Sequence, residues 1–380
     1  MKALSAIKSF ILQYKVLAIL YVLATIIGIA QIIGFGHVNN FAIFRGSSHH
    51  MLQKLPLYVE YPKEYFDLFY YNPTFPMLFL PFALLPVKLG IITWMSFTMA
   101  LAFVTYKALP LDDQQKKIFI LLMVFDLLNN ITHTQTNPVF LSFMLLTWVF
   151  MEREKPVWAA LFAVLSFLIK GYGGIIGILC LFYKSWYKVV LYSIAWLIAL
   201  HALLLLFISP QLMIQYYTDW IHIISSDTIK ESCSVYGVVT NLHLAIPEGY
   251  ILAIAGIILA IFLSMQIFLK HRRREHIVAF LLIWVIVFNR ASEPATYIIA
   301  IAGVIIWYLA RPKTLFSTTL FWITILSASI IPTDISAFFD KLRYEYYLKS
   351  ILCMFVLLDI VVFTAKRLTL PTPPKNAARI

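Results

Sequence analysis

Twelve apolar runs divide this chain, near residues 16–35, 87–107, 117–130, 138–151, 156–170, 174–183, 188–208, 250–270, 276–289, 294–310, 314–331 and 347–364. No other feature limits its fold so strongly. The first run, Val16 to Phe35, is about 20 residues long, enough to cross a bilayer core of roughly 30 Å. It follows Lys2, Lys8 and Lys15 and lacks a small-residue cleavage site, so it reads as an uncleaved first span rather than a secretory signal. The runs show no period-2 alternation, so helices are expected, because a helix satisfies its own backbone inside lipid. The expected fold is an all-α multi-pass membrane bundle, one integral domain over 1–380, with some segments short or broken. Only 13% of residues are charged and 61% are hydrophobic. A soluble chain carries about 25% charged residues, so a soluble globule and a disordered chain are both excluded.

The net charge of +12 does not indicate a nucleic-acid partner. With the N-terminus in the cytoplasm, 20 of the 30 Lys and Arg residues fall in cytoplasmic segments. That asymmetry fixes the expected orientation, with both termini inside. The cytoplasmic loops are short: DDQQKK, EREK, YKSWYK, KHRRRE and RPK. The outer segments are longer: a first loop over 37–86 with interfacial helices, a second over 209–249, and a third from Pro332 to Tyr346. Function concentrates on loops held by a rigid scaffold, which directs attention outward.

Several runs are too short to span alone. Fourteen helical residues cover about 21 Å. Anchored at their cytoplasmic ends, 117–130, 138–151, 156–170, 174–183 and 276–289 would leave their outer turns at membrane depth. Those turns are NNITHTQTN, KGYGG and NRASEP. Polar backbone and charge at that depth need protein or water around them, so a polar cavity open to the outer face is expected.

Candidate chemistry lies on these segments. Between Tyr58 and Phe75 eight aromatics surround Glu60, Glu64 and Asp67. An interfacial aromatic belt explains the rings. A lid facing sugar and lipid explains them equally, with one carboxylate as general base for a hydroxyl. Lys170 ends an apolar run and precedes Gly-Tyr-Gly-Gly, which suits a phosphate contact better than a snorkelling lysine. Arg290 and Glu293 share one turn, either as a phosphate clamp or as a mutual ion pair. His133, Gln135 and Asn137 line the cavity or cap its helices, and Asn137 before Pro138 fits a helix start. Asn40, Arg45 and Tyr172 complete the substrate-binding candidates. Asp126 is placed near the cavity, and Asp359 in a local pair nearer the cytoplasm. His49-His50 is a poor chelate, because adjacent helical residues point about 100° apart. With three scattered cysteines and no CxxC, neither a metal nor another cofactor is expected.

Three stretches carry a family resemblance. They are Tyr70 to Trp94 with its Asn72-Pro73-Thr74-Phe75 lead, Gln135 to Lys188, and Asn289 to Tyr308. Together they resemble glycosyltransferase family 87, within the GT-C class of membrane glycosyltransferases. The resemblance implies inverting transfer of a sugar, mannose-like, from a polyprenyl-phosphate donor to a lipid or glycan acceptor. It places the reaction on the outer face of the cytoplasmic membrane. Lys170 matches the family's lysine after the fifth apolar run, with Gly171 where proline is usual. Family enzymes carry a catalytic aspartate at the start of the first outer loop. Here that place reads Asn39-Asn40-Phe41. An amide orients a hydroxyl but does not take its proton at neutral pH. Asp67, Glu60 or Glu64 has then taken the role, or the chain is a non-catalytic relative. Broken helices with polar groups at membrane depth are also the pattern of a transporter or flippase.

Overall fold

A computed structural model describes residues 9–36, 38–226, 232–269, 272–330 and 347–369. Among these the regular structure is entirely helical. The helices are α1 (Tyr14–Phe35), α2 (Asn39–Leu52), α3 (Phe75–Ala83), α4 (Val87–Ala108), α5 (Asp113–Thr132), α6 (Asn137–Glu152), α7 (Pro156–Ile169), α8 (Trp186–Leu204), α9 (Pro210–Ser226), α10 (Val235–Asn241), α11 (Glu248–Phe268), α12 (Arg274–Val287), α13 (Tyr297–Leu309), α14 (Leu315–Ile325) and α15 (Leu348–Thr369). A 3-10 segment, Gly171–Phe182, lies between α7 and α8. Five helices, α1, α4, α8, α11 and α15, are long and apolar enough to cross a membrane. The third outer loop, Pro332 to Tyr346, lies outside the described residues, as do Lys2, Lys8, His37, Lys270, Lys375 and Arg379.

The chain divides into two units, 1–230 with 294–302, and 231–293 with 303–380. In the first, α1 packs on α4 and α5, and α6 packs on α4 and α7. The α1 contact follows one face: Leu17, Tyr21, Ala24, Gly28 and Ile32 are buried. Its other face exposes Val22, Ile26 and Ile33. A helix apolar all round with one packed face belongs in lipid. Tyr14 donates to Asp113 Oδ1 at 2.8 Å and Tyr21 to the Ile120 carbonyl at 3.0 Å, which fixes α1 against α5. Gly36 ends α1 at φ +74°, a left-handed position that favours glycine. In the second unit α15 packs against α11, α12 and α14.

One length expectation fails. The run at 117–130 is part of α5, which has 20 residues and covers about 30 Å. Asp112 caps its start: Oδ1 accepts the Gln115 N–H at 2.8 Å, and Gln115 Oε1 accepts the Asp112 N–H at 3.3 Å. This capping box draws the polar stretch from Asp113 to Lys117 into the helix, although it breaks the apolar run. The other segments are short as expected: α7 and α12 have 14 residues each and α6 has 16.

The segment between α1 and α4 carries α2 and α3, while the aromatic stretch between them is irregular. Seven of its eight rings are at least partly buried. Phe69 and Phe75 are buried and join Phe44, Tyr71 and Phe79 in one aromatic cluster. Phe66, at 84% exposure, is the clear exception. The stretch expected as a second large loop, 209–249, contains α9 and α10 among its described residues.

Candidate active site

The polar groups of the first unit gather where three segments meet: the turn between α5 and α6, the end of α7, and the loop over residues 66–72. Lys170 follows α7 with extended backbone, φ −134° and ψ 116°. Leaving the helix there turns its side chain toward α6. Its Nζ donates to Asn137 Oδ1 at 2.8 Å and stands 5.4 Å over the Tyr71 ring. The amide oxygen and the ring face are neutral groups that position the ammonium.

Asn137 opens α6 and is fully buried. It does not cap the helix with its side chain, correcting the capping expectation. The N-cap residue is Thr136, without a side-chain cap bond. Asn137 Nδ2 instead donates to Asn130 Oδ1 at 3.1 Å. Asn130 Nδ2 donates in turn to the Asp126 carbonyl at 2.8 Å and to the Ala295 carbonyl at 3.2 Å. Lys170 therefore ends a chain of amide groups that locks α5 and α6 behind it. Thr136 Oγ1 lies 2.9 Å from the Tyr71 hydroxyl, which ties the loop to the same turn.

The loop carries one of the first-loop carboxylates, Asp67. Asn39 grips Phe66 with both amide atoms: Nδ2 donates to the Phe66 carbonyl at 2.7 Å, and Oδ1 accepts the Phe66 N–H at 2.8 Å. The next residue, Asp67, is exposed and has φ +82°. A non-glycine residue in that region is strained unless its surroundings hold it. The Asn39 grip supplies that hold, and Asp67 Oδ1 accepts the Leu68 N–H at 2.7 Å. Asn40 Nδ2 donates to the His133 carbonyl at 2.8 Å, and Phe41 N–H donates to Thr134 Oγ1 at 3.1 Å. Asn39 and Asn40 thus fasten the start of α2 to the Asp67 loop and to the α5–α6 turn.

The three carboxylates differ in their surroundings. Glu64 Oε2 lies 3.1 Å from His50 Nε2, and the His50 ring stacks on Tyr61 at 3.7 Å. Glu60 is exposed, with no described side-chain bond. Asp67 lies next to a residue bonded to Asn39. Arg45 and His49 follow one turn apart on α2, each with a buried unpartnered nitrogen, Nε and Nε2. Burial and the nearby Arg45 charge push the His49 pKa down. Tyr172 packs edge-on against Phe140 at 5.2 Å. Gln135 is half-buried and His133 is exposed.

Residues missed in the sequence complete the site. Asn72 is fully buried, and its Oδ1 accepts from Thr74 N–H at 3.0 Å, Thr74 Oγ1 at 2.6 Å and Tyr217 OH at 3.1 Å. The Tyr217 hydroxyl also lies 2.7 Å from His201 Nε2. Burial pushes the Tyr217 phenol up to about 12, so it remains a neutral hydroxyl at neutral pH. The Asn-Pro-Thr sequence was the available signal, since an asparagine before proline commonly bonds its own turn.

In the second unit Arg290 Nε pairs with Glu248 Oε2 at 3.5 Å. Glu248 is thus one ion-pair partner of Arg290. Glu293 itself is exposed. Asp359 does pair locally, with Arg311, and accepts from Trp307 Nε1 at 2.9 Å.

No curated protein matches this chain. The sequence model of glycosyltransferase family 87 matches residues 69–312, well over half of it. The matched stretch contains Lys170 and Arg290 and begins just after Asp67. With its helical fold and membrane-spanning helices, the chain belongs to glycosyltransferase family 87 and is a multi-pass membrane glycosyltransferase.

Proposed function

We propose that the enzyme moves a mannose-like sugar from a polyprenyl-phosphate donor to a lipid or glycan acceptor, at the outer face of the cytoplasmic membrane. Asp67 is the general base and Lys170 the phosphate contact. The observation that carries this reading is the two-bond grip of Asn39 on Phe66. It holds a carboxylate beside the start of α2, the place where the resemblance expects an aspartate.

The chemistry is a single displacement. Asp67 takes the proton of the acceptor hydroxyl, and that oxygen attacks the anomeric carbon. The bond from this carbon to the phosphate oxygen breaks, and the polyprenyl phosphate leaves with the electron pair. Its gain of negative charge is where Lys170 contributes, because a fixed cation in a dry site stabilises charge that develops in the transition state. The anomeric configuration inverts. Asn40, Arg45, His133, Gln135 and Tyr172 supply polar or aromatic surface for sugar and acceptor. The distribution of Lys and Arg supports placing both termini in the cytoplasm and the site outside.

The test offers purified enzyme two donors side by side, polyprenyl-phosphate-linked mannose and a nucleotide-linked mannose, with membrane extract as acceptor. The expected result is transfer from the lipid-linked donor alone, with inversion. Transfer from the nucleotide donor, or retention, overturns the reading.

A further inference from the structure

Helix α9 grips the chain around Lys170 at several points. Tyr216, Tyr217 and Trp220 fall on one face of this helix, within about 100° of one another. Each is an apolar ring with one polar tip, and each tip is used. The Tyr216 hydroxyl donates to the Leu55 carbonyl at 2.6 Å. The Tyr217 hydroxyl donates to Asn72 Oδ1 at 3.1 Å, and Trp220 Nε1 donates to the Tyr70 carbonyl at 3.0 Å. Tyr216 and Trp220 are buried.

The last two bonds fall on either side of Tyr71, the residue whose ring lies 5.4 Å from the Lys170 ammonium. Lys170 is flanked in the same way. Asn72 N–H donates to the Ile169 carbonyl at 3.5 Å, so the loop meets the residue before Lys170. The residue after it, Gly171, faces the Trp220 indole: a Cβ there would lie 3.3 Å from Cη2 and 3.6 Å from Cζ2. The missing side chain lets the ring come this close. Two short segments, 70–72 and 169–171, thus lie side by side with Tyr71 and Lys170 at their centres, and α9 holds both. Behind them, His201 Nε2 of α8 stands 2.7 Å from the Tyr217 hydroxyl, and the two rings stack at 5.5 Å.

A lysine ammonium rides on a flexible stem, so its place depends on what it rests against. One support of Lys170, Asn137, is fixed by helix backbone at the start of α6. The other, Tyr71, sits on irregular chain and needs an external hold. Thr136 provides one contact to its hydroxyl, and α9 pins the residues on both sides of it.

We infer that Tyr217 and Trp220 are positioning residues for sugar transfer: they fix Tyr71 and the 169–171 turn, and through them the place of the Lys170 ammonium. This rests on the phosphate role proposed for Lys170. Misplacing a group by about 1 Å through a change away from the reacting atoms costs about 10²-fold in rate.

The test compares variants of the purified full chain with polyprenyl-phosphate-linked mannose as donor and membrane extract as acceptor. Y217F/W220F removes the two hydrogen bonds to the loop and keeps an aromatic ring at each position. It should lose about 10- to 100-fold in kcat with donor KM little changed, because Lys170 acts on charge that develops in the transition state. In the K170M background the same pair of changes should cost about twofold or less, since a positioning effect vanishes with the group it positions. W196F loses a bond of the same kind in the same unit, from Trp196 Nε1 to the Val157 carbonyl at 3.0 Å, and should turn over as wild type does. W220F alone gives the same comparison at smaller amplitude if the double variant does not fold. The same fractional loss with and without Lys170 overturns the positioning role, because α9 then serves the fold alone. So does wild-type kcat in Y217F/W220F, or a matching loss in W196F. Wild-type turnover by K170M is a different result: it removes the phosphate role itself, and the positioning role with it.

Discussion

Replacing Lys170 with Met tests the phosphate role most severely, because the structure separates its effects on stability and on activity. Methionine keeps most of the side-chain volume and removes the ammonium. Asn137 Oδ1, on a fully buried residue, then loses its donor. An unsatisfied buried acceptor costs about 1–3 kcal/mol. The lost position over the Tyr71 ring adds about 0.5–1 kcal/mol for a half-buried cation. Together these lower stability by roughly 1.5–4 kcal/mol, which a helical membrane protein shows as a reduced melting midpoint with retained fold. The activity effect is separate and larger. Removing a preorganised donor to developing charge slows turnover by about 10²–10³-fold. K170R keeps the charge and should recover part of the turnover without restoring the melting midpoint. The assay is transfer from polyprenyl-phosphate-linked mannose by purified protein, beside a melting curve of the same sample. A lowered midpoint with wild-type turnover would refute the phosphate role and leave Lys170 as a structural tether.

Further outcomes follow from the same geometry. N39A removes both bonds to Phe66 and frees the strained Asp67 backbone. Turnover should fall about tenfold or more with KM little changed, because a positioned base contributes about 10²–10⁴-fold. In G173A the new Cβ would lie 2.4 Å from Phe140 Cε2 and 2.6 Å from the Ser166 carbonyl oxygen, so it should lose about 1–3 kcal/mol by overpacking. The melting midpoint should also depend on His49. Its pKa is lowered in the folded protein, so the unfolded chain binds the proton more readily. That contribution is fully present above the unfolded value of about 6.5 and is lost as pH falls through it toward the folded value. Melting from pH 7.5 down to 5 should show a decline that H49Q flattens, and parallel curves for the two proteins would count against it.

The sequence revealed the spans more clearly than it did the site. The apolar runs correspond to helices within a few residues, because lipid demands helix wherever the chain is apolar. α5 was misjudged only where a polar first turn hides behind the Asp112 cap. Lys170 was legible because a lysine ending an apolar run stands out. Its partner was not, since Asn137 carries an ordinary helix-start signature and its true role needs α6 and α7 packed together. Tyr217 and His201 were illegible for the same reason: 145 residues separate Tyr217 from Asn72, which it bonds. The first-loop carboxylates could be enumerated but not ranked. The grip of Asn39 on Phe66 and the pairing of Glu64 with His50 give them different surroundings, and neither contact follows from spacing.

The central claim is that Asp67 takes the acceptor proton. It is tested most directly by single-turnover transfer with D67N, E60Q and E64Q, each with bound polyprenyl-phosphate-linked mannose. The account predicts a loss of about 10²–10⁴-fold for D67N alone, with donor binding unchanged and partial recovery in D67E. Wild-type transfer by D67N, or an equal loss in E60Q or E64Q, would contradict it.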